Sequence, residues 1–376
     1  MKNILYLNNY MSNAVTNIRK NSSFFSQPAN NKIIGICKAI ASTNNNVTIL
    51  SSGLVNNKSL KKYKIIYDKV NETPVVYCEI IDIPLINTLS SILYMYRQIK
   101  KMNKEKKIDN IIFYNYKPEV AWAALLAKKK LKIPITVEFE DGYSSVSNIS
   151  RFKAFIFKIT EKKVSKNIDS AILVNSILKS QYKVPTVVVR GIVDKNFYEE
   201  CKKYKKKRNE IFTIFYSGGL DEDRGIKVLI QSLKYIEHNV RLIITGKGKI
   251  DFEDDRIQFK GFVSYDEMKK LMMQSDVLIQ CQLTNNGFNY VSFPSKIFEY
   301  IATNNFIISS KVADITDFSE NEIMYYDNDN PKDLADKIME IYKRWEKGES
   351  TNVNFDRLCK ENLPESIGYN IIKILG

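Results

Sequence analysis

Short runs of β-branched and aromatic residues alternate with stretches whose apolar residues recur every three or four positions, along the whole chain. Phe212–Ser217 (FTIFYS) is one such run, and Ile226, Leu229, Ile230, Leu233 and Ile236 follow it at helical spacing. Similar runs stand at Asn3–Leu7, Val47–Ser51, Lys64–Tyr67, Val75–Ile81, Asp109–Tyr114 and Ile135–Phe139. Further runs are Ser170–Val174, Thr186–Val189, Val240–Thr245, Arg256–Lys260, Asp276–Gln282, Phe306–Ser310 and Ile323–Tyr326. Most are apolar on both faces, which suits strands covered by helices on both sides and hence parallel sheets. The chain is therefore read as α/β, and 376 residues suffice for two such domains.

Parallel sheets bind ligands outside the carboxyl ends of their strands, so the residues just after each strand come next. Gly218-Gly219 follow Phe212–Ser217, and two glycines there let backbone amides approach an anion closely. Arg224 stands just before the next helix. After Asp276–Gln282 comes a polar loop, then Phe293-Pro294-Ser295-Lys296-Ile297-Phe298-Glu299-Tyr300. Pro294 and Ser295 are expected to open a helix with Ile297, Phe298 and Ile301 on one face. Its free amides and Lys296 in its first turn point to a bound anion, and Glu299 to hydroxyl groups nearby. A surface helix with solvated Lys296 and Glu299 is the alternative reading. Val240–Thr245 ends in Gly246-Lys247-Gly248, and Arg256–Lys260 in Gly261-Phe262-Val263. Glu138–Gly142 (EFEDG) closes another strand and places Glu140 and Asp141 at its end; a charged turn closed by Gly142 is the bland reading there.

The remaining composition serves mainly to exclude. No apolar run approaches the roughly 18 residues of a membrane span, and MKNILYLNNYM reads as a first strand, not a signal peptide. Five scattered cysteines (37, 78, 201, 281 and 359) form no Cys-x-x-Cys pair, which suits a reduced, cytoplasmic compartment. His238 is the only histidine, so a His-paired metal site is excluded and a Ser–His–Asp triad disfavoured. Asp327-Asn328-Asp329 resembles a metal motif but precedes a helix cap and reads as a turn. The net charge of +15 calls for anionic partners. No nucleic-acid module is present, so an anionic small molecule and an anionic membrane surface remain.

Together, YSGGLDEDRGIKVLIQSL, LIITGKGK, IQFKGFVSYDEMKKLMMQSDVLIQ and FPSKIFEYIATNNFIISS resemble the C-terminal, donor-binding half of GT-B glycosyltransferases. The nearest type is the retaining, family 4-like bacterial "group 1" enzymes that build surface polysaccharides (capsule, O-antigen or lipopolysaccharide, exopolysaccharide). The resemblance covers Phe212–Ser310 well and the N-terminal half in strand–helix order. It implies two Rossmann-like parallel-sheet domains with a cleft between them. It also implies transfer of a sugar from a nucleotide-sugar donor to a lipid-linked or polysaccharide acceptor, with the anomeric configuration retained and no metal needed. Gly218, Gly219, Arg224, Pro294, Ser295 and Lys296 would then hold the diphosphate. Lys247 would contact the donor, Phe262 would lie near the base, Glu299 would hold the ribose hydroxyls, and Glu140 and Asp141 would face the sugar or orient the acceptor.

The chain departs from the family pattern where Gly219 replaces an Arg, Arg224 a Lys, and Val291 a Glu; Asn289 is the substitute considered for that lost contact. The alternative kept beside an active enzyme is a non-catalytic subunit of the same fold that binds a partner enzyme or a glycan.

The expected organisation is an acceptor-binding domain over 1–195, a basic solvated linker over 196–210 containing Lys202–Arg208 (KKYKKKR), and a nucleotide-sugar domain over 211–350. A last segment, 351–376, is expected to return to the first domain. Asn8–Asn31 reads as a long polar loop, and Pro84 as the end of the apolar run before it. Ile149–Lys166 reads as a helix that joins Phe152, Phe155, Ile156 and Ile159 to a basic flank of Arg151, Lys153, Lys158, Lys162, Lys163 and Lys166. It is either a core-facing helix or one lying at a membrane interface.

Overall fold

A computed structural model describes residues 1–20, 27–53, 55, 59–83, 86–140, 150–221, 224–249, 254–284, 293–327, 329–351 and 355–376. Pro84, Asp141, Asn289 and Val291 lie outside the described residues. In chain order the elements begin with β1 (Asn3–Asn8), α1 (Asn13–Arg19), α2 (Gln27–Ala41), β2 (Asn46–Ser51), β3 (Lys62–Tyr63), β4 (Ile66–Val70), β5 (Thr73–Tyr77) and β6 (Ile80–Ile81). Next come α3 (Ile86–Glu105), β7 (Asn110–Tyr114), α4 (Pro118–Leu131), β8 (Ile135–Phe139), α5 (Arg151–Val164), β9 (Ser170–Leu173) and β10 (Thr186–Val188). Then follow α6 (Lys195–Lys203), β11 (Phe212–Ser217), α7 (Ile226–Ser232), β12 (Val240–Thr245), β13 (Ile257–Gly261), α8 (Tyr265–Gln274) and β14 (Val277–Gln280). The last are α9 (Ile297–Thr303), β15 (Phe306–Ser310), β16 (Met324–Tyr326), α10 (Pro331–Glu346), α11 (Asp356–Glu361) and α12 (Pro364–Ile374).

The first unit comprises Met1–Ile192 together with Pro364–Gly376. Its sheet runs β10-β9-β8-β7-β1-β2-β5-β4. Every pairing in it is parallel except β4 with β5. That exception corrects the all-parallel expectation. Asn71 and Glu72 both take positive φ (43° and 67°), the conformation of a two-residue hairpin, so the chain turns straight back. Tyr6, Ile112 and Ile172 on one face of the sheet pack with Ile33, Ile36 and Ile40 of α2 and with Ile367 and Ile371 of α12. Each such fully buried side chain contributes about 1.5–3 kcal/mol. At Gly368 in α12 a Cβ would stand 1.8 Å from the Ala39 carbonyl oxygen, so only glycine lets the two helices pack this closely.

The stretch expected to be a polar loop contains α1. Ser12 caps it, accepting from the Val15 amide at 3.3 Å, and Val15 and Arg19, four residues apart, turn inward. The Arg19 side chain is buried and donates to the carbonyls of Gly53, Lys64 and Cys78 at 2.5, 3.2 and 2.9 Å. Two inward residues among polar neighbours carry too little periodicity to mark a helix in sequence. The opposite surprise is α5. Its helix forms as expected, yet Phe152 and Phe155 are 62% and 60% exposed, and the buried residues are Thr160 and Val164. Thr160 accepts from the Trp122 indole at 3.0 Å. The core-facing reading of the Phe152–Phe155 face is therefore overturned.

The second unit is Val193–Leu363. Its six-stranded sheet is wholly parallel and runs β13-β12-β11-β14-β15-β16. Counted from β11, that is the 3-2-1-4-5-6 order of doubly wound nucleotide-binding sheets, which reverses direction between β11 and β14. The residues expected to form a solvated linker are partly structured. Asp194 caps α6, accepting from the Phe197 amide at 2.9 Å, and Phe197 and Tyr198 are buried. Farther along, Lys206 pairs with Asp276 at 3.2 Å and donates to Asn305 at 3.1 Å. No helix among the described residues is long and apolar enough to cross a membrane.

Candidate functional site

At the carboxyl end of β11, where the strand order of the second unit reverses, three turns are stitched together. The Gly218 amide donates to Thr245 O at 3.0 Å, Leu220 N to Lys247 O at 3.2 Å, and Gly246 N to Gly261 O at 2.8 Å. Gly246 has φ 147°, and a Cβ on it would lie 1.7 Å from the Gly218 carbonyl oxygen. Gly218 in turn lies over the Tyr216 ring, whose hydroxyl donates to Gly219 O at 2.7 Å. Burial pushes the Tyr216 phenol well up, so it is a donor at any ordinary pH. On the other side of the turn, Gly225 has φ 68°, and a Cβ there would lie 1.7 Å from Cys281 O. The backbones after β11 and β14 therefore touch at a glycine. Arg224, next to it, donates from Nη1 to Gln282 Oε1 at 3.3 Å.

Lys296 reaches this turn from α9. Its Nζ is 3.1 Å from Ser217 Oγ and 3.2 Å from Met268 Sδ, and among the described residues no carboxylate pairs with it. The helix behind it differs from the expected one. It starts at Ile297, not at Pro294, with Lys296 as an N-cap that lacks a side-chain bond. The amides of Ser295, Ile297 and Phe298 are spent on the carbonyls of Phe293, Pro294 and Ser295, at 2.8, 3.0 and 3.2 Å. Tight turns thus consume the amides that a longer helix would leave free, and the Lys296 side chain supplies the positive charge. The apolar face is as expected: Ile297, Phe298 and Ile301 are all buried, with Phe293 against Phe298 at 5.8 Å between ring centroids.

Glu299, one turn into α9, accepts from the Tyr265 hydroxyl at 3.1 Å. Lys247 lies 5.0 Å from the centroid of the exposed Phe262 ring. Asp327 and Asp329 are both engaged: Lys311 pairs with Asp327 at 2.7 Å, and Asp329 accepts from the Thr284 amide and hydroxyl. A cavity of about 770 Å³ opens at the opposite, amino ends of the strands, lined among others by Lys206, Asp276, Asn305 and Trp345; none of the residues of the glycine turns lines it.

Glu140 belongs to the first unit. Its amide donates to Asn115 Oδ1 at 2.8 Å, and its carboxylate pairs with Lys32 at 2.8 Å. Lys32 also donates to Val189 O at 2.8 Å. Two residues back, Glu138 is fully buried and accepts from the Tyr6 hydroxyl. Burial, and then the Glu140 charge, push the Glu138 carboxyl up to about 8, against the opposing pull of Lys32 and Tyr6. Sequence reasoning named Gly246 and Glu138 only as strand-end residues and gave no role to Tyr265 or Gly225. For the glycines a signal was present, since Gly246 directly follows β12 and Gly225 directly precedes α7. For Glu138 and Tyr265 there was none, because their partners are 132 and 34 residues away.

Residues 211–344 match the family model described as glycosyl transferases group 1. Over 321 residues the chain is 24% identical to the uncharacterized glycosyltransferase MJ1178 of Methanocaldococcus jannaschii, covering 81% of this chain and 86% of that one. This chain is a glycosyltransferase with a group 1 domain. Among solved structures, the glycosyltransferase is similar to sucrose-phosphate synthase from Thermosynechococcus elongatus, with a TM-score of 0.69 and 12% identity over 100% of this chain and 98% of that one. It is also similar to Anabaena Alr3699/HepE, solved in complex with UDP, with a TM-score of 0.66 and 14% identity over 100% and 99%. At such identities these likenesses speak for the fold, which is GT-B. In the glycosyltransferase, the family match spans the Gly218–Gly219 turn, Lys296 and Glu299.

Proposed function

We propose that this glycosyltransferase moves a sugar from a nucleoside-diphosphate donor to a lipid-linked or polysaccharide acceptor, with retention, in the assembly of a bacterial surface polysaccharide. The observation that carries the reading is the meeting of Lys296 with the Ser217–Gly219 turn at the strand-order reversal. That Anabaena HepE was solved with UDP and with UDP-glucose supports a nucleotide-sugar donor here.

In this reading the bond between the anomeric carbon and the diphosphate oxygen breaks, and a bond to the acceptor oxygen forms on the same face. The departing phosphate takes the acceptor's proton, which suits a chain with one histidine. Negative charge grows on the diphosphate as it leaves. Lys296, Arg224 and the amides of Gly218 and Gly219 stabilise that charge more in the transition state than in the ground state. Pro294 and Ser295 shape the turn that carries Lys296, Lys247 and Phe262 flank the base, and Glu299 holds the ribose hydroxyls. Glu140 and Asp141 contact the transferred sugar or orient the acceptor. No metal is required in this scheme.

The test is a thermal-shift and calorimetric titration against UDP, GDP, CDP, dTDP and ADP, with and without magnesium. One nucleotide is expected to bind without metal, and Lys296→Ala to weaken it by about 10–100-fold, the value of a charge-assisted contact. A chain that binds none of them overturns the donor reading and favours the non-catalytic alternative.

We further propose peripheral attachment to an anionic membrane, on its cytoplasmic face, through α5. Its exposed Phe152 and Phe155 stand among exposed Arg151, Lys153, Lys158, Lys162 and Lys163, the pattern of an interfacial helix. Sedimentation with phosphatidylglycerol vesicles is expected to drop by about tenfold in Phe152→Ser/Phe155→Ser, given what two phenyl groups gain on leaving water. Equal sedimentation of the two proteins, or equal binding to zwitterionic vesicles, refutes it.

A further inference from the structure

Glu299 is held from one side only. Its Oε1 accepts from the Tyr265 hydroxyl at 3.1 Å, while among the described residues Oε2 has no hydrogen-bond partner. A glutamate ordinarily rotates freely about its last torsion, so one fixed oxygen decides where the other points.

Tyr265 is itself fixed. It is the first residue of α8, directly after the Ser264 cap, which accepts from the Glu267 amide at 3.2 Å. One turn on, Lys269 places its ammonium 4.7 Å from the centre of the Tyr265 ring and 5.6 Å from that of Phe197. The Lys269 side chain is only 14% exposed and is steadied by Asp266 at 3.3 Å. A cation on the ring face draws electron density from the phenol and strengthens its O–H as a donor. Partial burial (the residue is 37% exposed) and the neighbouring carboxylates Glu299 and Asp194 push the phenol's pKa up, so the proton stays on oxygen.

From this arrangement we infer that Tyr265, backed by Lys269, is a positioning residue that aims Glu299 Oε2 at a vicinal diol and thereby makes the site select ribonucleoside diphosphates over their 2′-deoxy counterparts. The inference rests on the reading above in which Glu299 holds the ribose. A carboxylate whose orientation is set beforehand loses less freedom on binding than one that must be ordered by the ligand. A diol that loses one hydroxyl leaves the aimed oxygen short of a donor.

The experiment compares ADP, GDP, CDP and UDP with their 2′-deoxy forms by calorimetry, on the whole chain, in wild type, Tyr265→Phe and Lys269→Met. Wild type is expected to prefer the ribonucleotide of its base by about tenfold or more, the worth of one lost bond to a charged group. Tyr265→Phe is expected to bring that ratio down several-fold at an unchanged melting temperature, and Lys269→Met to lower it part of the way. A damaged fold would weaken both sugars alike and leave the ratio intact, so the ratio separates positioning from structure. A wild type that binds both sugars equally, or binds none of the nucleotides, overturns the Glu299 reading itself. A wild type that discriminates, with Tyr265→Phe discriminating as well, overturns the positioning role of Tyr265 and leaves the Glu299 reading standing.

Discussion

Gly246→Ala is expected to destabilise the second unit by about 2–5 kcal/mol and to remove nucleotide binding, because the added methyl group has nowhere to go. The Cβ would stand 1.7 Å from Gly218 O, and the obstacle is backbone, so no rotamer change relieves it. The residue's φ of 147° adds a second penalty for any L side chain. Relief requires that the β12 turn move away from the β11 turn. That movement breaks the Gly218 N to Thr245 O and Leu220 N to Lys247 O bonds that shape the proposed phosphate cradle. Gly219→Ala is the control. At Gly219 a Cβ meets nothing closer than Asp221 Oδ2 at 3.1 Å, and φ is not in the left-handed region, so the fold should persist. Urea denaturation with nucleotide titration distinguishes the two. Unchanged midpoint and affinity in Gly246→Ala would show that the three turns are not coupled as described.

The second large effect concerns pH. The Glu138 carboxyl is raised to about 8 in the folded protein, first by burial and then by Glu140, and an unfolded glutamate titrates near 4.3. Between those values the folded chain holds a proton that the unfolded chain has released. Folding therefore takes up a proton, and stability falls as pH rises through that window. Below about pH 4 both states are protonated and the penalty is absent; above about pH 8 it is complete. Glu138→Gln keeps an acceptor for Tyr6 and has nothing to ionise. Its stability relative to wild type should accordingly rise from pH 5 to pH 8, by up to about 1.4 kcal/mol per unit and on the order of a few kcal/mol in all. Urea midpoints at several pH values provide the measurement, and parallel curves for the two proteins would refute the account.

The strand–helix alternation made the two sheets legible, one wholly parallel and one parallel but for β4, because a run such as Phe212–Ser217 has only one kind of place to go, and the structure buries all of it. The apolar side of FPSKIFEY was equally plain. The features that escaped share a cause, which is that they depend on partners distant in sequence or on single residues. α1 is marked by two inward side chains, and one of them is an arginine whose Nη atoms bond carbonyls that come from elsewhere. β4 runs antiparallel because of two residues at positive φ, Asn71 and Glu72, which belong to no strong turn signature. The start of α9 was placed too early because Pro294 and Ser295 favour a helix start, yet here the Ser295 amide turns back onto Phe293 and their carbonyls accept from Ile297 and Phe298. Phe152 and Phe155 share a helical face that periodicity assigns to a core, and periodicity says nothing of what lies opposite.

The packing of α12 on α2 has a consequence for the order in which the protein takes shape during translation. The first unit needs Ile367 and Ile371 to cover Ile33, Ile36 and Ile40, and these come from a helix made only after all of Val193–Leu363. At about 5–20 residues per second, roughly 9–35 seconds separate the last strand of that first sheet from its final cover. The second unit, uninterrupted in sequence, can close while the first still exposes an apolar strip on the ribosome. In the life of the nascent chain, the unit that begins first is the one that finishes last.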